Sequence, residues 1–197
     1  MMVNAVLLNM NKKYLIIIIT FFISFIPNFI VLANNQNQEI IQEVYKNRKK
    51  INLCPDALVW DYAQTVSEVI KFNQQEYIVI FYCFLAAYQT NFSFVKYVKT
   101  NSGNQIELLK LDGFQENELG KLERTNVDNF AGFIYRDEKN PSILKIHTIS
   151  GCAKNIGALA TYKINGSNFT LLEYRAKTDC TDVFVEPENY PLIYRAK

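Results

Sequence analysis

The stretch Tyr77-Ile78-Val79-Ile80-Phe81-Tyr82 decides the fold of this 197-residue chain. Each of its residues is β-branched or aromatic, and none is charged. A strand with one face in water alternates apolar and polar residues, whereas a strand covered on both sides is apolar throughout. The stretch therefore predicts a strand that is buried on both faces.

Outward from this strand, similar runs separated by turn residues predict an antiparallel sheet. Asn165-Gly166 marks a tight hairpin, because glycine accepts the positive φ that such turns need. Pro191 places the last run at a sheet edge or at the start of a strand. The predicted strands are residues 92–98, 106–111, 143–149, 158–164, 169–177 and 190–195.

Three other segments have a different character. Ile40, Ile41 and Val44 recur at helical spacing with polar residues between them, which predicts a helix over about residues 38–50. Residues 66–72 are ambiguous, and residues 112–129 are polar and irregular, which predicts a connector. The predicted fold class is α+β, with predominantly antiparallel β meanders and an N-terminal helix.

The N-terminus has the order of a secretory signal. Lys12 and Lys13 precede an apolar run at residues 15–23, and Val31-Leu32-Ala33 has the short residues that a signal peptidase reads. A retained membrane anchor is the alternative, but the run is short for about 30 Å of hydrocarbon and Pro27 interrupts it. We expect a cleaved signal peptide over residues 1–33 and one mature domain over residues 34–197.

Charge excludes some classes of partner. The chain has 21 basic and 19 acidic residues, and removing Lys12 and Lys13 with the signal leaves 19 of each. A neutral domain lacks the basic surface on which nucleic-acid binding depends, and no run of like charge indicates an anionic membrane surface. We expect no nucleic-acid partner, and contact with a membrane only through the signal segment if it stays uncleaved.

The four cysteines, Cys54, Cys83, Cys152 and Cys180, all lie beyond the predicted signal. Four cysteines in an exported chain allow three pairings. Pairing Cys54 with Cys83 and Cys152 with Cys180 closes two loops of similar size, which favours that pairing. Zinc is the alternative, but structural zinc sites use closely spaced cysteine pairs, which are absent from this sequence. We expect two structural disulfides and no metal or cofactor.

The cysteine spacing also fits an internal duplication, with halves at about residues 51–111 and 130–197. In each half a strand leads into a cysteine, Cys83 or Cys152. A loop with small residues and a tyrosine follows, and then a strand, a turn and another strand. A duplication into two meanders explains this pattern, and so does chance, because hairpins resemble one another.

Catalytic chemistry has few candidates. His147 is the only histidine, so a Ser-His-Asp or Cys-His mechanism would have to use it. Alternation places it on the face of Lys145, away from Leu144 and Ile146, which predicts a surface position. A glycosidase-like carboxylate pair stays open, but the sequence favours no pair. The candidate acids are Asp56, Asp61, Glu68, Asp112, Asp128, Asp137, Glu173 and Asp179. We therefore assign no catalytic residue.

Aromatic residues are dense over residues 72–97. We expect most of them to fill the core, and a stacking surface for a lipid, a glycan or a partner is the alternative. The glycosylation sequons at Asn91, Asn165 and Asn168 matter only in a host that glycosylates.

The second half contains a series of motifs in a fixed order. They are Tyr135-Arg136-Asp137, the strand at 143–150, Gly151-Cys152, the hairpin at 162–171, Cys180 and Tyr190-Pro191. The first half adds Cys83-Phe84-Leu85-Ala86-Ala87-Tyr88-Gln89. In this order the motifs resemble a bacterial family of exported proteins, domain of unknown function 1176.

Two departures separate the chain from that family. The family's Arg-Gly-x-Gly-Asp-Cys-Gly is reduced to Ser150-Gly151-Cys152-Ala153, and its hairpin tryptophan is Ile164. The resemblance implies export, disulfides and a bacterial source, but no activity.

These observations favour a periplasmic or secreted, non-enzymatic binding protein of unknown ligand. Its partner would be an envelope or extracellular protein or a glycan. One version is a hydrolase inhibitor, because small disulfide-bonded β domains present rigid loops. The alternatives are an envelope hydrolase that uses paired carboxylates and a structural envelope component. Two close acids in a cleft, one with a raised pKa, would favour the hydrolase.

Overall fold

The computed structural model describes residues 35–150, 156–181 and 183–197. The chain divides into two compact units, residues 1–39 and 40–197, and the described strands lie in the second. The elements are α1 (residues 35–47), α2 (Trp60–Val66), β1 (Glu68–Lys71), β2 (Glu76–Leu85), β3 (Thr90–Val98), β4 (Gln105–Leu108), β5 (Leu111–Glu116), β6 (Leu122–Val127), β7 (Phe130–Arg136), β8 (Ile143–Ser150), β9 (Ile156–Asn165), β10 (Asn168–Lys177), the 3-10 turn Pro187–Asn189 and β11 (Leu192–Arg195).

Among the described residues, nine strands form one sheet in the order β1-β2-β3-β7-β8-β9-β10-β11, with β4 also paired to β3. The pairs are antiparallel, and neighbours follow one another along the chain except at β3–β7, where Phe92 pairs with Phe130. Strands β5 and β6 form a separate two-stranded ribbon. The mostly antiparallel sheet with two helices confirms the predicted α+β class.

Strand β2 is buried on both faces, as the apolar stretch at residues 77–82 predicts. Ile78 and Ile80 face a cluster that includes residues of β3 and β7–β10. Val79 and Phe81 face a second cluster, to which both helices contribute. Burying one such side chain stabilises a fold by about 1.5–3 kcal/mol. Strand β2 is therefore shared by the two cores of the protein.

The sheet is strongly curved. Strands β3 and β10 are separated by three strands, so a flat sheet would hold them about 19 Å apart. The rings of Phe94 on β3 and Phe169 on β10 nevertheless lie only 4.9 Å apart, centroid to centroid. The curvature gives the sheet a concave face, which encloses the first cluster, and an outer face.

The ribbon β5–β6 corrects the prediction for residues 112–129, which are a hairpin rather than an irregular connector. The segment is polar because most ribbon side chains are at least partly exposed, and few residues, such as Leu111 and Val127, are buried. The strand predicted over residues 106–111 is likewise divided. Strand β4 ends at Leu108, and the chain then leaves β3 to enter the ribbon.

The termini of other elements also differ from prediction. The helix predicted over residues 38–50 is helical only to residue 47, and Asn52, with φ 55°, then turns the chain towards Cys54. The strand predicted from residue 190 begins at Leu192. The hairpin at Gly166, with φ 60°, is as predicted.

The disulfide Cys54–Cys83 is present, joining the segment after α1 to β2. The second predicted bond, Cys152–Cys180, includes Cys152, which lies outside the described residues, so it stays a prediction. The predicted signal peptide at residues 1–33 also lies outside them.

Candidate functional site

A row of small side chains crosses the concave face of the sheet. Register places Thr148 of β8 opposite Ala158 of β9, and Ala158 opposite Ala176 of β10. The next row holds larger groups, Ile146 and Tyr174, around Ala160. A row with so little side-chain volume leaves space above it, whereas packed protein cores leave few voids. We call Thr148, Ala158 and Ala176 the small-residue row.

The ribbon covers that space and forms its opposite wall. The resulting concave cavity has a volume of about 360 Å³, within the range of small-molecule sites. Its ribbon side consists of both apolar and polar residues, which are Gly113, Phe114, Gln115, Glu116, Leu122 and Val127. The cavity is therefore enclosed between two separate β structures.

Three contacts hold the ribbon against the sheet. The buried Tyr162 hydroxyl donates a 2.9 Å hydrogen bond to the backbone carbonyl of Asp112. Phe114 stacks on Tyr174 with centroids 4.6 Å apart. Arg124, which forms an ion pair with Asp112, lies over the ring of Tyr194, with its guanidinium carbon 4.3 Å from the ring centroid. Such aromatic and cation–π contacts are each worth about 0.5–1.5 kcal/mol.

Polar groups concentrate at one part of the cavity lining. Lys177 is buried, and its ammonium donates a 2.6 Å hydrogen bond to the carbonyl of Asp179. The side-chain oxygen of Asn129 is buried without a hydrogen-bond partner among the described residues. Burial, with a smaller contribution from Glu116, raises the pKa of Tyr174 to about 12, so its hydroxyl stays protonated at neutral pH. The lining can thus contact apolar surface and also form hydrogen bonds.

The disulfide Cys54–Cys83 belongs to the second cluster, on the opposite side of β2 from the concave face. Both cysteines are buried in this cluster. The bond links the segment that follows α1 to strand β2, and so supports the sheet rather than the cavity.

His147 does not have the solvated surface position predicted for it. It shares the outer face with Lys145, but Tyr190 covers it, with ring centroids 6.2 Å apart. Its Nε2 is buried and has no hydrogen-bond partner among the described residues. Burial lowers the pKa of His147, and nearby Glu188 opposes that shift. Tyr190 comes from a remote segment, so the local strand pattern could not reveal this cover.

Four of the eight candidate carboxylates form ion pairs with cations. Asp112 pairs with Arg124, Asp128 with Lys110, Glu68 with Arg136, and Glu173 with both Arg175 and Arg195. Partial burial raises the pKa of Glu173, but hydrogen bonds from the two arginines outweigh it, so the pKa is lowered. Asp137 accepts hydrogen bonds from the amides of Lys139 and Asn140. A lowered pKa suits an ion pair and does not suit a general acid.

The residues that line the concave cavity were not predicted as a site. The run Gly157-Ala158-Leu159-Ala160 does contain the signal, because alternate positions are small on one face of a strand. The described residues include no cluster of metal-ligating side chains and no helix that is long and apolar enough to cross a membrane.

Comparisons with protein families, with curated proteins and with solved structures find no match for this chain. The resemblance to domain of unknown function 1176 therefore stays a prediction.

Proposed function

We propose that this protein is an exported, non-enzymatic binding protein that holds a small, partly apolar ligand in the concave cavity. The observation that carries the proposal is the small-residue row, which leaves about 360 Å³ open beneath the ribbon. Natural cores fill such space with larger side chains. Keeping it open across three adjacent strands is consistent with occupation by a ligand.

The lining supports a ligand with an apolar body and a polar end. Ala158, Ala160 and the Phe114–Tyr174 stack offer apolar surface, while Lys177 and Asn129 offer a donor and an acceptor. Ligand sites commonly combine apolar walls with a few placed polar groups that fix orientation. One flat or branched apolar group with a single polar substituent fits this arrangement.

Export is the second element of the proposal. The Cys54–Cys83 bond is compatible with an oxidising compartment, in which such bonds persist. The predicted signal at residues 1–33 and the predicted Cys152–Cys180 bond would agree with it. With these features and the family resemblance as support, we propose a bacterial periplasmic or secreted location.

A partner-binding role, with hydrolase inhibition as one version, has a separate observation in its favour. Leu85, the last residue of β2, is 65% exposed, and Tyr88, in the loop between β2 and β3, is 68% exposed. The disulfide at Cys83 anchors one side of this loop, and on the other Gln89 accepts a 3.0 Å hydrogen bond from the amide of Ile149. An anchored apolar loop suits insertion into a partner. The hydrolase alternative has less support, since four of the eight candidate acids pair with cations, and no feature of the described residues singles out a structural envelope role.

The cavity is tested by titrating the mature protein with an apolar, environment-sensitive fluorophore such as anilinonaphthalene sulfonate. Ala158→Leu should fill the cavity and weaken probe binding at least about tenfold, since a leucine side chain adds several methyl-sized groups. Thr161→Leu is the control, because Thr161 lies on the same strand but on the outer face. Equal binding by both variants, with circular dichroism showing both folded, would refute the cavity as a binding site.

A further inference from the structure

A second cleft lies on the outer face of the sheet, away from the concave cavity. It has a volume of about 500 Å³ and lies between strands β7–β9 and the segment that precedes β11. Lys145, His147 and Leu159 form its floor on the sheet, while Phe184, Glu186 and Glu188 line it from the segment. We call it the outer cleft.

The segment is fixed in place at Tyr190, which is only 2% exposed. Arg175 donates a 2.9 Å hydrogen bond to the carbonyl of Tyr190, and the amide of Ala176 donates to Pro191. The Tyr190 hydroxyl lies over Gly157, where an added Cβ would be 3.5 Å from it. The two hydrogen bonds and the burial of Tyr190 hold the cleft wall in place.

The two cations that line the outer cleft, Arg136 and Lys145, are each paired with a carboxylate. Lys145 forms a 3.2 Å ion pair with Glu188, and Arg136 forms a 3.2 Å ion pair with Glu68. One carboxylate oxygen of Asp137 accepts hydrogen bonds from two backbone amides. An anionic ligand would have to displace these carboxylates, because an ion gains little where its counter-charge is already paired. The lining carries three carboxylates against two cations, so the arrangement disfavours an anionic ligand.

Hydrogen-bonding capacity nevertheless remains. A guanidinium carries five N–H donors, and the ion pair of Arg136 uses its Nη2 group. Each carboxylate has about four lone-pair sites, and Glu188 uses one oxygen towards Lys145. The cleft therefore offers donors and acceptors together. Hydroxyl groups match such a lining, because each hydroxyl both donates and accepts.

Two aromatic rings border this polar lining with much of their surface in water. Tyr135 is 49% exposed and Phe184 is 66% exposed, and both line the outer cleft. Large aromatic side chains usually bury most of their surface, so exposed rings beside a cleft indicate binding. The C–H faces of pyranose rings stack on aromatic rings, whereas their hydroxyl edges form hydrogen bonds.

We propose that the outer cleft binds a neutral carbohydrate, with Tyr135 and Phe184 as stacking surfaces and Arg136, Glu186 and Glu188 as hydrogen-bonding groups. This site is distinct from the concave cavity and does not depend on the function proposed for it. The volume suits one or two sugar rings, within the range of ordinary ligand sites.

Isothermal titration calorimetry of the mature protein with neutral oligosaccharides tests the proposal. The panel should contain glucose-, mannose- and N-acetylglucosamine-based oligomers, with hyaluronan and heparin as anionic counterparts. We expect binding of at least one neutral oligomer. Tyr135→Ala and Phe184→Ala should each weaken it at least about tenfold, because each removes one stacking ring.

Leu119→Ala is the matched control, since Leu119 is an exposed apolar side chain in the turn between β5 and β6, outside the cleft lining. Its affinity should equal that of the wild-type protein. Absence of binding to every neutral oligomer, binding to the anionic polymers alone, or equal loss in all three variants would overturn the proposal. Melting temperatures of the variants show whether a loss reflects the cleft or unfolding.

Discussion

The hydroxyl of Tyr162, on strand β9, donates a hydrogen bond of 2.9 Å to the backbone carbonyl of Asp112, on ribbon strand β5. Tyr162 is 1% exposed, and burial, with smaller contributions from Tyr174 and Asp112, raises its pKa, so the hydroxyl remains a donor at any ordinary pH. This bond joins the ribbon directly to the concave face of the sheet.

Tyr162→Phe should therefore loosen the ribbon. Loss of a buried hydrogen bond that leaves a carbonyl without its partner costs about 1–2 kcal/mol. Urea denaturation should show this loss, and hydrogen exchange should accelerate in β5 and β6 more than in β8. Tyr135→Phe, at an exposed site, is the control and should change stability by less than about 0.5 kcal/mol. Unchanged exchange in the ribbon would contradict the assigned role.

The disulfide should contribute substantially to stability. Cys54 and Cys83 are 29 residues apart, and closing a loop of that size restricts the unfolded chain by roughly 3–4 kcal/mol. In chemical denaturation, the free energy of unfolding of the double variant Cys54→Ala, Cys83→Ala should be lower than that of the wild type by about this amount. Peptide mapping without reductant should also recover Cys54–Cys83, and it will decide whether Cys152 pairs with Cys180. A double variant as stable as the wild type would contradict this estimate.

Acid should destabilise the fold through His147. Burial lowers the pKa of His147 in the folded protein below its value of about 6.5 in the unfolded chain. At a pH between these two pKa values, the unfolded chain binds a proton at His147 more readily than the folded protein does. The free energy of unfolding therefore falls as pH drops below about 6.5. Of the charges that face His147, Glu188 is paired with Lys145. Partial burial raises the pKa of Glu188, but its hydrogen bonds and Lys145 outweigh burial, so its pKa is lowered and it stays ionised above pH 5.5.

Melting temperatures at pH 7.5 and pH 5.5 measure this effect. Between these pH values the melting temperature of the wild-type protein should fall by more than that of His147→Gln. Glutamine keeps a polar side chain of similar reach but does not titrate. Equal losses in the two proteins would mean that His147 is not responsible.

Gly157 should tolerate no side chain. A Cβ there would clash with the carbonyl oxygen of Thr148, which belongs to the backbone of the neighbouring strand and cannot rotate away. Gly157→Ala should cost about 1–3 kcal/mol by thermal denaturation, as overpacking of a core does. Gly113→Ala is the comparison, because its Cβ would meet a flexible side-chain methyl of Val127 at 3.1 Å. A larger loss for Gly113→Ala would refute the argument.

The local sequence predicted a strand well where the residues of that strand themselves reflect how deeply it is buried. The stretch from Tyr77 is apolar because both of its faces are covered, and the turn at Gly166 requires a residue that accepts positive φ. The ribbon was missed because its strands lie apart from the main sheet and expose most of their side chains, so no apolar alternation marks them.

The candidate site was harder to predict because it depends on register between strands. Thr148, Ala158 and Ala176 are unremarkable separately, and only their alignment across β8, β9 and β10 creates a row. His147 illustrates the same limit. Its strand pattern gives the correct face, but the residue that covers it, Tyr190, lies far along the chain. Contacts of this kind are set by tertiary structure rather than by local preference.

The pairing of β3 with β7 has a consequence for the rate of folding. Every other pair of neighbouring strands can form as a hairpin from adjacent parts of the chain, whereas Phe92 must find Phe130 across β4 and the whole ribbon. Closing so long a loop costs roughly 2 kcal/mol more entropy than closing a tight turn. We expect this step to limit folding, so that truncating Phe92 or Phe130 slows folding, while substitutions in the β9–β10 hairpin mainly speed unfolding.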